Sequence, residues 1–149
     1  MNYKEIMNSF ERYVREESPR VQSPEEMAAL LRPVFHNLRQ EELHVLLMNA
    51  KNEVVKDVMA TRGLVDRAQA HAREVFREAI VANASRVVLA HNHPSGDPTP
   101  SSQDISLTRE LVKAGRIIGI EVMDHIIVGA RTERRQKDFL SFREEGLIG

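Results

Sequence analysis

A short apolar run, Val87-Val88-Leu89-Ala90, leads without a break into His91-Asn92-His93-Pro94. An apolar run of this length reads as a central strand buried on both faces. The chain then turns through Ser95-Gly96-Asp97-Pro98-Thr99-Pro100, a stretch dense in turn residues. It resumes in a helical pattern from about Ser102 to Lys113, with Gly115 as the expected C-terminal cap. Strand, polar loop and helix in succession point to an α/β fold. They also put polar side chains where a buried strand meets a helix.

The rest of the chain fits that class. Tyr3, Ile6, Met7, Phe10, Tyr13 and Val14 recur at helical spacing and predict a first amphipathic helix that stops by Pro19. Ser23 is the expected cap of a second helix, with Pro24 in its first turn and Glu26 completing a capping box. Its apolar face is Met27, Leu30, Leu31, Val34 and Phe35. From Glu42 the period changes: Leu43, Val45 and Leu47 alternate with His44, Leu46 and Met48, a mostly buried strand. Lys51-Asn52 is a turn, residues 53–59 the returning strand, residues 63–71 irregular and residues 73–81 a short helix. Residues 117–128 read as a long strand and 139–142 as a further one, with a basic turn of Arg131, Arg134, Arg135 and Lys137 between them. The expected organisation is a helical segment over residues 1–38 and an α/β domain over 39–149.

Composition removes several classes of function. The 149 residues suit one ordinary domain, and the apolar fraction of 42% supports a core. With 21 basic and 22 acidic residues, the basic excess of a dedicated nucleic-acid domain is missing. There is no cysteine, so disulfides, thiolate chemistry and cysteine-ligated zinc are excluded. No signal peptide is legible at the N-terminus and no run has the length of a membrane span, so the expectation is a cytoplasmic domain that makes no membrane contact.

The chemistry concentrates at His91, His93 and Asp104. Two imidazoles one residue apart at a strand end can converge on one ion, and a carboxylate can complete a three-ligand zinc set. Three protein ligands leave a fourth position for water, the mark of a catalytic rather than a structural zinc. The bland alternatives are a surface histidine pair, and a helix capping box made by Ser101 and Asp104. The capping and metal readings are compatible, because a helix N-terminus keeps the carboxylate ionised.

His91 to Asp104 resembles the His-x-His-x10-Asp zinc motif of the JAMM/MPN (JAB) family, and HNHPSGDPTPSSQD resembles its RadC-like branch in particular. The likeness runs from about Glu41 to Ile148. Gly63, His71-x-Arg73-Glu74, Asp124-His125-Ile126-Ile127-Val128, Ser141-Phe142 and Glu145-Gly146 also match the branch. Ala72 stands where proline is usual, and the turn from Ala130 to Asp138 is longer and more basic than usual. Two ordinary helices are expected at the position where longer members carry a helix-hairpin-helix segment. The resemblance implies a three-layer α/β fold with a mixed sheet, related in layout to the cytidine deaminases, here with two extra N-terminal helices. It also implies Zn2+ on His91, His93 and Asp104, and hydrolysis of a peptide, isopeptide or related amide bond. Zinc would lower the pKa of a water from about 15.7 to roughly 7. A glutamate in the first strand would act as base. Glu42 is the first choice, on the face of His44 and Leu46; Glu41, pointing the other way, is the second, and Glu74 the third. Ser101 would hydrogen-bond the developing oxyanion, a contact worth roughly 3–4 kcal/mol in a well-built site.

Other readings compete. An inactive MPN-type scaffold would keep the shape and lack the metal. Nucleic acid is a weaker alternative, resting on a DNA-repair label of the branch and on the Arg131–Lys137 cluster, whose bland meaning is a solvated turn. A zinc deaminase needs a Pro-Cys-x-x-Cys pair that a chain without cysteine cannot supply. His36 reads as a surface residue, His44 as core or rim, and His71 as a loop hydrogen-bonder. Asp124-His125 reads as a satisfied buried pair with a supporting role left open. The helical segment could also pack on a second copy of the chain.

Overall fold

The computed structural model describes residues 2–4, 18–65 and 70–149. Residues 5–17, which carry most of the first expected helix, lie outside them. The second expected helix is α1, Pro24–Phe35. Ser23 Oγ accepts the Glu26 N–H at 3.1 Å. The Glu26 carboxylate accepts from the Gln22 N–H at 2.8 Å, one residue ahead of the cap, so the reciprocal bond of the expected box is displaced by one position. After α1 come β1, Glu42–Met48, and β2, Val54–Arg62; then α2, Ala72–Val81; β3, Arg86–Asn92; α3, Ser102–Ile118; β4, Glu121–Val128; and β5, Phe139–Ser141.

The five strands form one mixed sheet in the order β2-β1-β3-β4-β5. Only β3 and β4 run parallel, joined by the crossover helix α3 that such a pair requires. Alternation along β1 and β3 feeds two cores. Leu43, Val45, Leu47, Val87 and Leu89 meet α2 and α3 on one face. Leu46, Met48, Val88 and Ala90 meet Met27, Ala28, Leu31 and Phe35 of α1 on the other. The helix expected as an addition to the domain is thus one of its three layers. Among the described residues no helix is long and apolar enough to cross a membrane.

Several boundaries differ from the sequence reading, β2 among them, which runs on to Arg62; two of the differences have a clear local cause. Gly115 does not end α3; the helix runs on to Ile118 and Gly119, at φ 90°, takes the left-handed cap. Gly115 serves close packing: a Cβ there would lie 2.4 Å from the Ile120 carbonyl oxygen and 3.2 Å from the Phe76 ring. Residues 117 and 118 therefore belong to α3, and β4 starts only at Glu121. The second boundary is that of β3, which outlasts its apolar run by two residues, so His91 and Asn92 are strand residues.

On the α1 face His44 is buried between two carboxylates, with Nδ1 2.7 Å from Asp57 Oδ1 and Nε2 2.9 Å from Glu42 Oε1. Carboxylates only accept, so both ring nitrogens donate and the ring is an imidazolium. Burial lowers the His44 pKa, but the hydrogen bonds and charges of Asp57 and Glu42 outweigh it and leave the value raised. A histidine bound more tightly to its proton in the folded state adds stability below its unfolded pKa of about 6.5, and that stability is lost as pH rises through the raised folded value. Urea unfolding of wild type and His44→Gln between mildly acidic and alkaline pH is expected to show a steeper loss in the wild type. Parallel profiles would remove His44 as the cause.

Candidate metal centre

The end of β3 and the first turn of α3 bring three side chains together. Among the described residues, His91, His93 and Asp104 form a group whose ligand atoms all lie within 4.8 Å of one another. The two histidine Nε2 atoms are 3.0 Å apart. His91 Nε2 lies 3.5 Å from Asp104 Oδ1, and His93 Nε2 3.2 Å from Asp104 Oδ2. A tetrahedral ion with bonds of about 2.0–2.1 Å sets its donors roughly 3.3 Å apart, so these separations fit.

The proton positions fit as well. His93 Nδ1 lies 2.7 Å from the Asp97 carbonyl oxygen, which can only accept, so that nitrogen carries the proton and neutral His93 turns a lone pair inward at Nε2. Asp104 is held by the capping box: its Oδ2 accepts from the Ser101 N–H at 2.8 Å, and Ser101 Oγ accepts from the Asp104 N–H at 3.0 Å. Burial opposes ionisation of Asp104, but His91, His93 and the Ser101 N–H outweigh it and hold its pKa far below the usual carboxylate range. Burial likewise lowers the His93 pKa, and Asp104 and Asp97 more than reverse it. To hold a metal ion, such a set needs both Nε2 atoms and the carboxylate free of protons.

The base candidates separate by face. Leu43 is paired with His91 across β1 and β3, so Glu42, one residue off, points to the other side of the sheet. There its carboxylate accepts from His44 Nε2 and, at 3.1 Å, from Arg62 Nε. The first-choice base is thus placed in the α1 layer, away from the metal group. Glu41 points the opposite way and lines a cleft with Leu64, Val65, His93, Pro94, Ser101 and Asp104. Glu41 Oε2 accepts from the Val65 N–H at 3.1 Å. Ser101 stands on the rim of the same cleft; its oxygen accepts the capping bond, and its hydroxyl proton remains for a ligand. Glu74 lies exposed in the first turn of α2 and does not line the cleft.

Asn92, which the sequence reading passed over, fixes Glu41 from behind. Its Oδ1 accepts the Glu42 N–H at 2.8 Å and its Nδ2 donates to the Gln40 carbonyl at 3.0 Å. The amide clips the backbone on both sides of Glu41 and continues the β1–β3 ladder by one step.

The RadC-like JAB domain matches residues 21–147. The chain belongs to the RadC-like JAB family. It is 48% identical over 126 residues to the UPF0758 protein STH371 of Symbiobacterium thermophilum, covering 85% of this chain and 51% of that one. It is 44% identical over 131 residues to a UPF0758 protein of Clostridium beijerinckii, with 87% and 54% covered. With UPF0758 protein CA_C1241 of Clostridium acetobutylicum the identity is 38% over 144 residues, with 97% and 60% covered. The chain spans little more than half the length of these relatives.

In this RadC-like JAB domain the remaining sequence candidates have other roles. His36 is exposed after α1. At the head of α2 the His71 carbonyl, not its ring, closes the first turn. Half of the basic turn is structural: Arg135 donates to the Gly96 and Ala130 carbonyls at 2.6 and 3.0 Å, and Lys137 sits 4.7 Å over the Phe139 ring. The Arg135 bond to Gly96 braces the loop that follows His93. Gly129 lies so close to that loop that a Cβ would be 2.2 Å from the Gly96 carbonyl oxygen. Asp124 and His125 are both buried but face opposite ways. Asp124 accepts from the Ser141 hydroxyl at 2.6 Å and the Arg143 N–H at 3.0 Å, anchoring β5. The His125 ring lies against His91; burial first, and then the neighbouring His91, push its pKa well below the usual value and keep it neutral.

Proposed function

We propose that this RadC-like JAB domain is a zinc-dependent hydrolase of peptide, isopeptide or related amide bonds. The observation that carries the proposal is the meeting of three electron-pair donors, His91, His93 and Asp104, with a fourth group, Glu41, that lines the same cleft and is not one of the three. When bound, a zinc ion supplies Lewis acidity toward a scissile carbonyl and lowers the pKa of a water.

The chain's own residues then divide the work. Glu41 takes the proton of the attacking water at its carboxylate and returns it to the leaving amine. Its bond from the Val65 N–H holds it pointing into the cleft. Ser101 Oγ–H donates to the oxygen on which charge develops. Asp104 keeps both its helix-capping and its ligating posture because the Ser101 N–H occupies one of its carboxylate oxygens. Leu64 and Pro94 give the cleft apolar walls for a substrate backbone.

Elemental analysis of the purified chain, followed by assay against peptide and isopeptide-linked substrates, tests the reading. Near-stoichiometric zinc and a cleavage that stops with chelator and returns with Zn2+ are expected. Protein that takes up no zinc at micromolar free ion would return the chain to the scaffold reading.

A further inference from the structure

Beyond the three ligands, a line of buried hydrogen bonds leaves His91 and comes back to Asp104. His91 Nδ1 is 2.7 Å from His125 Nε2, and His125 Nδ1 is 2.6 Å from Thr108 Oγ1. Thr108 Oγ1 donates to the Asp104 carbonyl oxygen at 2.7 Å. His91 and His125 are fully buried, and Thr108 is 1% exposed. No water is needed to complete the line.

Its direction follows from the donors and acceptors available. The Asp104 carbonyl can only accept, so it takes the single proton of the Thr108 hydroxyl. Thr108 oxygen must then accept, and His125 Nδ1 carries the proton it accepts. A neutral imidazole with its proton at Nδ1 has a lone pair at Nε2. That lone pair faces His91 Nδ1, which must therefore carry a proton, and His91 is left with its own lone pair at Nε2, aimed at His93 and Asp104. One hydroxyl on α3 thus dictates which nitrogen of His91 is free. The usual partner of a ligating histidine is a carboxylate, a carbonyl or a water, and His93 follows that rule through Asp97. His91 instead leans on a second imidazole, whose ring is clamped by stacking on Phe142 at 4.6 Å and 16°.

We propose that His125 and Thr108 are positioning residues that set the tautomer and orientation of His91 and thereby the metal affinity of the centre. This rests on the reading of His91 as a ligand. Thr108→Val replaces the hydroxyl with a methyl group of nearly equal size. It leaves His125 Nδ1–H without an acceptor and favours the proton at His125 Nε2, where it would force a proton onto His91 Nε2 and oppose metal. His125→Phe keeps the stack on Phe142 and removes both ring nitrogens. His125→Gln restores an acceptor near the Nε2 position.

The test pairs zinc affinity, measured with a competing chelator, with long-range proton–nitrogen NMR of the histidine rings in metal-free and zinc-loaded protein. His125 is expected to carry its proton at Nδ1 in the wild type, in both forms. Zinc affinity is expected to fall roughly 10- to 100-fold in Thr108→Val and His125→Phe, with His125 shifted toward the Nε2–H tautomer in the former. His125→Gln is expected to regain most of the loss. Wild-type His125 protonated at Nε2, or unchanged zinc affinity in folded Thr108→Val, would overturn the positioning role while leaving the centre standing. A wild-type chain that binds no zinc would overturn the centre and this role together.

Discussion

Glu41→Gln is expected to bind zinc as the wild type does and to lose turnover by about 10²–10⁴-fold, the usual contribution of a positioned general base. Glu42→Gln is expected to hydrolyse the same substrate at the wild-type rate while unfolding more readily. The contrast follows from which side of the sheet each carboxylate occupies. Glu41 shares a cleft with His93, Ser101 and Asp104. Glu42 is occupied by His44 and Arg62 in the layer of α1. An amide at position 41 still accepts the Val65 N–H but cannot take up a proton. The loss should therefore fall on kcat, with zinc content and KM little changed. Steady-state kinetics on metal-replete variants reads the outcome. If Glu42→Gln were the silent enzyme and Glu41→Gln the active one, the assignment of the base would be reversed.

His93→Ala is expected to remove zinc binding at concentrations that saturate the wild type. If a binding free energy of about 10–16 kcal/mol is shared among four ligands, one ligand is worth roughly 2.5–4 kcal/mol, or on the order of 100- to 1000-fold in affinity. The metal-free variant should nevertheless stay folded. His91 is carried by β3, Asp104 is fixed by the capping box, and His93 keeps 14% of its side chain exposed. Zinc at a hundredfold excess over its dissociation constant stabilises a folded protein by about 2.7 kcal/mol. Thermal unfolding with and without zinc should therefore separate the two proteins: the wild type gains in midpoint, and His93→Ala does not. An equal gain in both would place the ion elsewhere.

Much of this site is written in the order of residues, because its parts are local. The apolar run before His91, the turn residues after His93 and the pairing of Ser101 with Asp104 lie within one strand–loop–helix unit. The choice between Glu41 and Glu42 is different in kind. Alternation tells which of them shares a face with His44, but not which face of β1 meets His91. That depends on the register Leu43 to His91, a contact between residues far apart in the chain. The partners of His125 were hidden for the same reason: Thr108, Phe142 and His91 come from α3, the segment after β5, and β3. The misread end of α3 had a more local cause. Glycine signals a helix cap by its freedom of φ, but it also occurs where another group must come close, and only packing tells Gly115 from Gly119.

The last two residues of β3 face opposite layers: His91 meets His93 and Asp104, and Asn92 clips the backbone around Glu41. Inserting or deleting one residue inside that strand would exchange their directions and cost the molecule both functions in a single event. Drift in the apolar half of the strand is, by contrast, gradual, since side chains of similar volume can replace one another there at small cost. The count of residues in β3 is therefore under stricter constraint than most of their identities, and length changes should be tolerated in the surrounding turns long before they are tolerated here.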